Sequence, residues 1–341
     1  MLLTLFFSTI IISLIITNIL EKNFSRHSLF IDKPNNRSMH SNPVPTAGGI
    51  GMLATYILYI TALHNIYDVN NNVIFFLFVS LLPIAIVCII DDFKEINILV
   101  RLLAQFFSAL LIIYYFQISD DGNFRNYLNQ EFFLIIILSI ILSMWLMNLY
   151  NFMDGIDGYA VSECIFVSFS SALIIYLNNE DSILSLYLVG LGLSSIGILV
   201  RNWHPAKIFM GDTGSVSIGF FFSFFIFYSA SESIISIYTW LILLSIFISD
   251  STYTLFVRIV TKKNITQPHL THAFHLLASN KNSQVFVTKR MIILNIFWVL
   301  PMAVLSNFYM NYNVVITFIA YVPMVVYLIK IGAGLEYNKK I

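Results

Sequence analysis

Gly211-Asp212-Thr213-Gly214-Ser215 lies between two long apolar runs of the chain. A carboxylate in a glycine turn at a membrane surface suits a divalent cation that bridges phosphate oxygens. Two more acidic clusters sit in the same kind of place, Asp91-Asp92 and Asp154-Gly155-Ile156-Asp157. Adjacent carboxylates such as Asp91 and Asp92 raise each other's proton affinity unless a cation relieves them, so the pair can serve as a base or hold a metal. Asn151, Asp154 and Asp157 recur every third residue. On a helix that spacing gathers three polar groups near one face, and Gly155 and Gly158 let the backbone approach a ligand closely. Three acidic clusters between apolar runs point to phosphoryl chemistry at a lipid–water boundary.

Further candidates lie around these. The stretch Asn202 to Met210 leads into the Gly211-Asp212 turn; there Phe209 can stack on a base and Asn202 can bond its polar edge. His269, His272 and His275 stand three apart in the longest polar loop. On a helix they would present three imidazoles together, suited to phosphate contact or to zinc. No cysteine or further carboxylate lies beside them to complete a tetrahedral site, so anion contact is the preferred reading. Arg37-Ser38-Met39-His40 offers two phosphate-binding side chains, Arg37 and His40, ahead of a segment stiffened by Pro43 and Pro45.

The elements that must position these residues are membrane spans. The chain is 58% hydrophobic and 11% charged, against about 25% charged in a soluble protein, and its apolar residues come in long blocks. Eleven blocks reach spanning length, near 2–20, 47–63, 73–90, 98–116, 132–150, 159–177, 183–200, 215–230, 234–256, 291–305 and 314–331; ten is the alternative count. The first reads as a retained helix, since no small-residue cleavage site follows it. Of the 18 basic residues, only Arg125 falls in or beside the loops on one side, and the other 17 lie on the side that carries the acidic clusters. The excess of Lys and Arg marks that side as cytoplasmic, with the N-terminus outside and the C-terminus inside. The expectation is an all-α integral membrane protein, 1–341, forming one domain. Zero net charge gives no reason to expect a nucleic-acid partner, and Cys88 and Cys164, both within apolar blocks, imply no disulfide framework.

With all the segments in order, the chain resembles the polyprenyl-phosphate N-acetylhexosamine-1-phosphate transferases, of the glycosyltransferase family 4 type. The resemblance runs from about Asp32 to His275. It implies transfer of an N-acetylhexosamine 1-phosphate from a UDP-sugar to undecaprenyl phosphate, releasing UMP, in the bacterial inner membrane. It also implies Mg2+ (or Mn2+ in its place), a cytoplasmic cleft and a homodimer. By the resemblance, Asp91 and Asp92 match the catalytic aspartate pair, and Asp212 matches the magnesium ligand. Asn151, Asp154 and Asp157 match the motif lining the nucleotide pocket, Asn202 and Phe209 match uridine contacts, and His272 and His275 match part of the histidine motif. Ser41 stands where the muramoyl-pentapeptide branch has lysine, and His272-Ala273-Phe274-His275 replaces its three consecutive histidines. The stretches Asp32 to His40 and Pro268 to Phe274 look most like the O-antigen-initiating branch. An alternative is the same chemistry with UDP-GlcNAc for teichoic acid or common-antigen synthesis.

A secondary transporter coupled through intramembrane carboxylates is the rival from another class. It requires carboxylates near mid-span and paired broken half-helices. Only Glu163 and Asp250 lie within apolar blocks, neither with an obvious partner half, and the acidic clusters sit at span ends. An inactive scaffold is the third reading, and the intact acidic motifs count against it.

Overall fold

The structure, a computed structural model, describes residues 1–25, 30–32, 34, 42–67, 71–118, 130–178, 182–264, 267 and 269–335. It is all-helical apart from one two-residue antiparallel pairing, β1 (Ile31–Asp32) with β2 (Val44–Pro45), in register Ile31 to Pro45 and Asp32 to Val44. The helices are α1 (Leu2–Phe24), α2 (Gly48–Ile66), α3 (Asn71–Phe93), α4 (Ile98–Ile113), α5 (Gln130–Met153), α6 (Tyr159–Leu177), α7 (Ile183–Asn202) and α8 (Gly211–Ser231). They continue as α9 (Ile237–Leu243), α10 (Ser245–Val260), α11 (Ala273–Lys281), α12 (Gln284–Leu294), α13 (Leu300–Phe308) and α14 (Asn313–Ile331), with a π turn joining α12 to α13.

Among the described residues, ten helices are long and apolar enough to cross a membrane. An eleventh span is broken: α9 and α10 meet at 76° around Leu244, within the apolar block expected over 234–256. The chain is therefore a multi-pass membrane protein, and both span counts follow from whether that bent pair is taken as one crossing. The bend re-aims α10, which carries Asp250 toward the polar end of the bundle.

The bundle is built around α8, which is apolar on every side and 94% buried, whereas α1 is only 17% buried and faces outward. A helix with no polar face belongs in the interior, and α8 enters there through small residues. A Cβ on Gly49 would stand 2.2 Å from the Gly214 nitrogen, and one on Gly219 2.4 Å from the Leu146 carbonyl oxygen. Backbones at such range gain the dispersion contact that drives helix association in lipid. The outer helix α1 is held differently. Its buried Thr9, Ser13 and Thr17 form one stripe at four-residue spacing. Ser13 donates from Oγ to the Ser194 carbonyl at 2.6 Å, over a surface left bare by Gly197. With α8 central, the ends of α3 and α5 and the start of α8 meet at one end of the bundle, and the acidic clusters meet with them.

Candidate active site

The C-terminal turn of α3 delivers Asp91 and Asp92, and a short turn then reverses the chain into α4. Asn97 caps α4, accepting from the Leu99 N–H at 2.9 Å. That start places Arg101 one turn into α4, facing back to α3. One nitrogen of Arg101, Nη1, stands 2.9 Å from Asp91 Oδ2 and 2.9 Å from Asp212 Oδ2. Asp91 Oδ1 in turn accepts from the Ile96 N–H at 2.6 Å. From α5, Asn151 donates to Asp212 Oδ1 at 2.8 Å and to Ser215 Oγ at 3.2 Å. Asp91, Arg101, Asp212 and Asn151 thus form one continuous polar chain contributed by four helices.

Asp92 has a different task. Its Oδ1 accepts from the Asp212 N–H at 2.8 Å, and its Oδ2 accepts from the Thr213 N–H at 3.1 Å and Thr213 Oγ1 at 2.6 Å. It is an N-cap borrowed from another helix: the carboxylate satisfies the orphan donors of α8 and faces the positive end of its dipole. Gly211 is obligatory beside it. Its φ is +70°, and a Cβ would lie 2.8 Å from both Asp92 carboxylate oxygens and 2.5 Å from the Thr46 carbonyl oxygen. The sequence expectation of a base or metal ligand is met here by a carboxylate already engaged on three donors.

Asp154 is half-buried on the loop after α5; its N–H donates to the Asn151 carbonyl at 3.3 Å, and its carboxylate makes no hydrogen bond to another described residue. Burial, then the like charges of Asp212, Asp92 and Asp157, push its proton affinity well above the ordinary carboxylate range. A carboxylate without a side-chain partner among other carboxylates suits a cation. With Asp212 and Asp91 nearby, the donor set fits a magnesium ion, which takes few protein oxygens and completes its shell from water and phosphate. Among the described residues, no three His, Cys, Asp or Glu side chains are grouped so as to hold a metal ion.

Several sequence candidates are placed elsewhere. Asp157 turns away from the others: its Oδ2 lies 2.7 Å from His204 Nδ1 and accepts from the Ala206 N–H at 3.0 Å. Its own N–H donates to Gln284 Oε1 at 2.8 Å. Asn202 is 2% exposed, accepts from the Gly158 N–H at 3.0 Å and donates to the Ile208 carbonyl at 2.9 Å. Both brace the loops around the site from inside. The Phe209 backbone ties this loop to the start of α2, donating to the Pro45 carbonyl at 2.7 Å and accepting from the Gly48 N–H at 2.9 Å. Arg37 and His40 lie outside the described residues.

The histidines do gather, but not as a helical stripe, because α11 begins only at Ala273. Asp250 of α10 decides this. Its Oδ1 accepts from the Ala273 N–H at 3.0 Å and from Thr254 Oγ1 at 3.0 Å, and its Oδ2 accepts from the Phe274 N–H at 3.2 Å. The same Oδ1 lies 3.2 Å from His272 Nδ1. The ring centroids of His269 and His272 are 5.0 Å apart, and those of His272 and His275 6.2 Å. His275 is wedged beneath the acidic loop, where a Cβ on Gly155 would lie 2.4 Å from its Nε2. Burial first and then His272 lower its pKa to about 3, which holds it as a neutral imidazole. Burial likewise holds His269 down, to about 4. His269 and His272 both line the cavity at the site, and His272 is the one with a buried carboxylate behind it.

These groups head a cavity of about 680 Å³. Arg101, Asn151, Asp212 and His272 line one end, and Ile84, Val87, Trp145 and Leu255 supply apolar walls. Between the two regions, Asn148 donates to Gln105 Oε1 at 2.6 Å. Sequence reading missed Arg101, Gln105, Asn148 and the capping role of Asp250. Two signals were present: a basic residue inside an apolar run ten positions after Asp91, and Asn148 extending the three-residue spacing of Asn151, Asp154 and Asp157 backward. The intramembrane carboxylates that raised the transporter reading both have local partners, Asp250 as above and Glu163 with Asn295.

Residues 73–230 match the model of glycosyl transferase family 4. That segment runs from α3 to α8 and contains every residue of the Asp91–Arg101–Asp212–Asn151 chain. A probable undecaprenyl-phosphate N-acetylglucosaminyl 1-phosphate transferase of Bacillus subtilis is 29% identical over 252 residues, 72% of this chain and 69% of that one. An undecaprenyl-phosphate alpha-N-acetylglucosaminyl 1-phosphate transferase of Thermotoga maritima is 27% identical over 277 residues, 79% of each chain. A phospho-N-acetylmuramoyl-pentapeptide-transferase of Prochlorococcus marinus is 29% identical over 237 residues, 64% of this chain and just under two thirds, 66%, of that one. Across the helices that carry the polar core, the chain is thus similar to proteins of glycosyl transferase family 4.

Proposed function

We propose that the protein transfers an N-acetylhexosamine 1-phosphate from a UDP-sugar to undecaprenyl phosphate, releasing UMP, at the cytoplasmic face of a bacterial inner membrane. The observation that carries this reading is the joining of a cation-seeking polar centre to an apolar cavity inside the bundle. A phosphorylated prenyl chain needs both surroundings at once, the cavity for its hydrocarbon and the polar end for its phosphate. Relatives whose names specify undecaprenyl phosphate support the acceptor.

In this reading an oxygen of the lipid phosphate attacks the β-phosphorus of the donor. The bond from that phosphorus to the bridging oxygen breaks, and UMP leaves with the electron pair. Asp91 accepts or orients the acceptor's proton, and Arg101 offsets charge on the phosphates through a planar fork suited to them. Asn151 holds Asp212 in position, and His272 donates to a phosphate oxygen. Asp212, with Asp154, would hold a magnesium ion, which would supply charge neutralisation during phosphoryl transfer.

The finer reading is that the product starts an O-antigen-like surface glycan from a UDP-activated 6-deoxy N-acetylated sugar, supported by the stretches Asp32 to His40 and Pro268 to Phe274. UDP-GlcNAc is the alternative donor, supported by the names of the Bacillus and Thermotoga relatives. The test incubates purified protein with undecaprenyl phosphate, Mg2+ and a panel of UDP-N-acetylhexosamines, and follows radiolabel into the lipid extract. Lipid-linked sugar phosphate from at least one donor is expected. No product from any donor would refute the assignment.

A further inference from the structure

Arg101 combines features that no part of the transfer reading requires together. Two carboxylates from different helices, Asp91 and Asp212, converge on its single nitrogen Nη1. Its other guanidinium N–H groups make no hydrogen bond to a described residue, and its side chain lines the large cavity at one-third exposure. Among the described residues it is the one basic side chain paired with a site that also holds Asp92 and Asp154. It therefore has a grip, room to leave it, and a free fork pointing where a phosphate would come.

We propose that Arg101 is an exchangeable counter-ion: it occupies the Asp91–Asp212 pair when no divalent cation is bound, and it yields that pair to the cation and turns to a phosphate in the cavity. The competition follows from charge, since one guanidinium and one cation seek the same two carboxylates and the second to arrive must displace the first. Arginine suits the role because it keeps its charge at every accessible pH and binds carboxylate and phosphate with the same geometry. The phosphate half of the proposal rests on the transferase reading. The cation half does not, and it is measurable with neither substrate present.

The experiment titrates purified full-length protein with Mn2+, following free Mn2+ by electron paramagnetic resonance, for wild type, Arg101→Gln and Arg101→Lys. Removing the competing charge is expected to tighten Mn2+ binding about tenfold in Arg101→Gln, with Arg101→Lys close to wild type. Misfolding cannot produce tighter binding. A second measurement on wild type alone follows phenylglyoxal modification by peptide mapping, and Mn2+ is expected to speed labelling of Arg101 by releasing it. Equal or weaker Mn2+ binding in a folded Arg101→Gln, labelling slowed or unchanged by Mn2+, or no Mn2+ binding by any of the proteins would each overturn the proposal. If Mn2+ binds as expected but no UDP-sugar supports transfer, the counter-ion exchange stands and the transferase reading falls.

Discussion

Replacing Asp92 by asparagine separates a structural cap from a proton-transfer group. The carboxylate accepts three hydrogen bonds from α8, two from backbone N–H groups and one from Thr213 Oγ1. An asparagine carbonyl can keep the bond from the Asp212 N–H, and its amide can donate to the Thr213 hydroxyl. The Thr213 N–H then faces another N–H and loses its acceptor. A hydrogen bond to a charged group contributes about 1.5–3 kcal/mol, and a charge at a helix N-terminus adds about 0.3–1 kcal/mol. The substitution should therefore cost about 2–4 kcal/mol and loosen the start of α8, which carries Asp212. Thermal unfolding in detergent should show a lower midpoint. Transfer at saturating substrate should fall, with the shape of its pH profile unchanged, because no titrating catalytic group has been removed. An unchanged midpoint with a displaced acid limb of the pH profile would refute the cap and return Asp92 to proton transfer.

Other outcomes follow from neighbouring contacts. Gly211→Ala combines a left-handed backbone, which costs an alanine about 1–2 kcal/mol, with Cβ contacts under 3 Å to Thr46 and Asp92; it should lower the melting midpoint and abolish Mg2+-dependent transfer, whereas Gly332→Ala, open around its Cβ, should retain transfer. His275 has a folded pKa near 3 against about 6.5 unfolded. Below pH 6.5 the unfolded chain binds the proton and the folded one does not. Stability should thus fall from pH 6.5 toward 3, by up to about 1.4 kcal/mol per pH unit from this group. Melting curves between pH 7.5 and 5.5 check it, and a folded His275→Gln variant with an equally steep decline would contradict it. Asp250→Asn, which removes the charge behind His272 and leaves one of the two α11 N–H donors facing an amide NH2, should reduce transfer and lower the melting midpoint. Asp250→Ala should lower both.

Spans and motif order are legible in the sequence because a membrane imposes a one-dimensional rule, long apolar runs broken by polar ends. The broken α9–α10 span escaped that rule, since a 76° bend at Leu244 leaves no Pro or Gly mark in an apolar run. Identifying Asp91, Asp92, Asn151, Asp154 and Asp212 as one group also followed from pattern, as charged groups at span ends have few reasons to exist. Partner choice did not follow. Asp157 and Asn202 look like ligands for the same reason as Asp212, yet they bind His204 and the Gly158 N–H, which the sequence places 47 and 44 residues away. The histidine spacing suggested a helix, and the helix starts after His272 because a carboxylate from α10 caps it there. Arg101 looked like a boundary lysine or arginine until α3 and α4 folded back on each other. In each case the deciding contact joins elements distant in the chain, which periodicity cannot register.

The central claim is that Asp212, held by Arg101 and Asn151 at the head of the cavity, anchors the cation used in transfer. Its most direct test is UMP release from UDP-N-acetylhexosamine and undecaprenyl phosphate by purified wild type and Asp212→Asn across a Mg2+ titration. Asparagine preserves the shape and the acceptor for Asn151 but not the charge that holds a cation. The expected result is Mg2+-dependent release by wild type and a loss of at least about 10²-fold in the variant that excess Mg2+ does not restore. Release by Asp212→Asn at the wild-type rate, with the same Mg2+ dependence, would contradict the account.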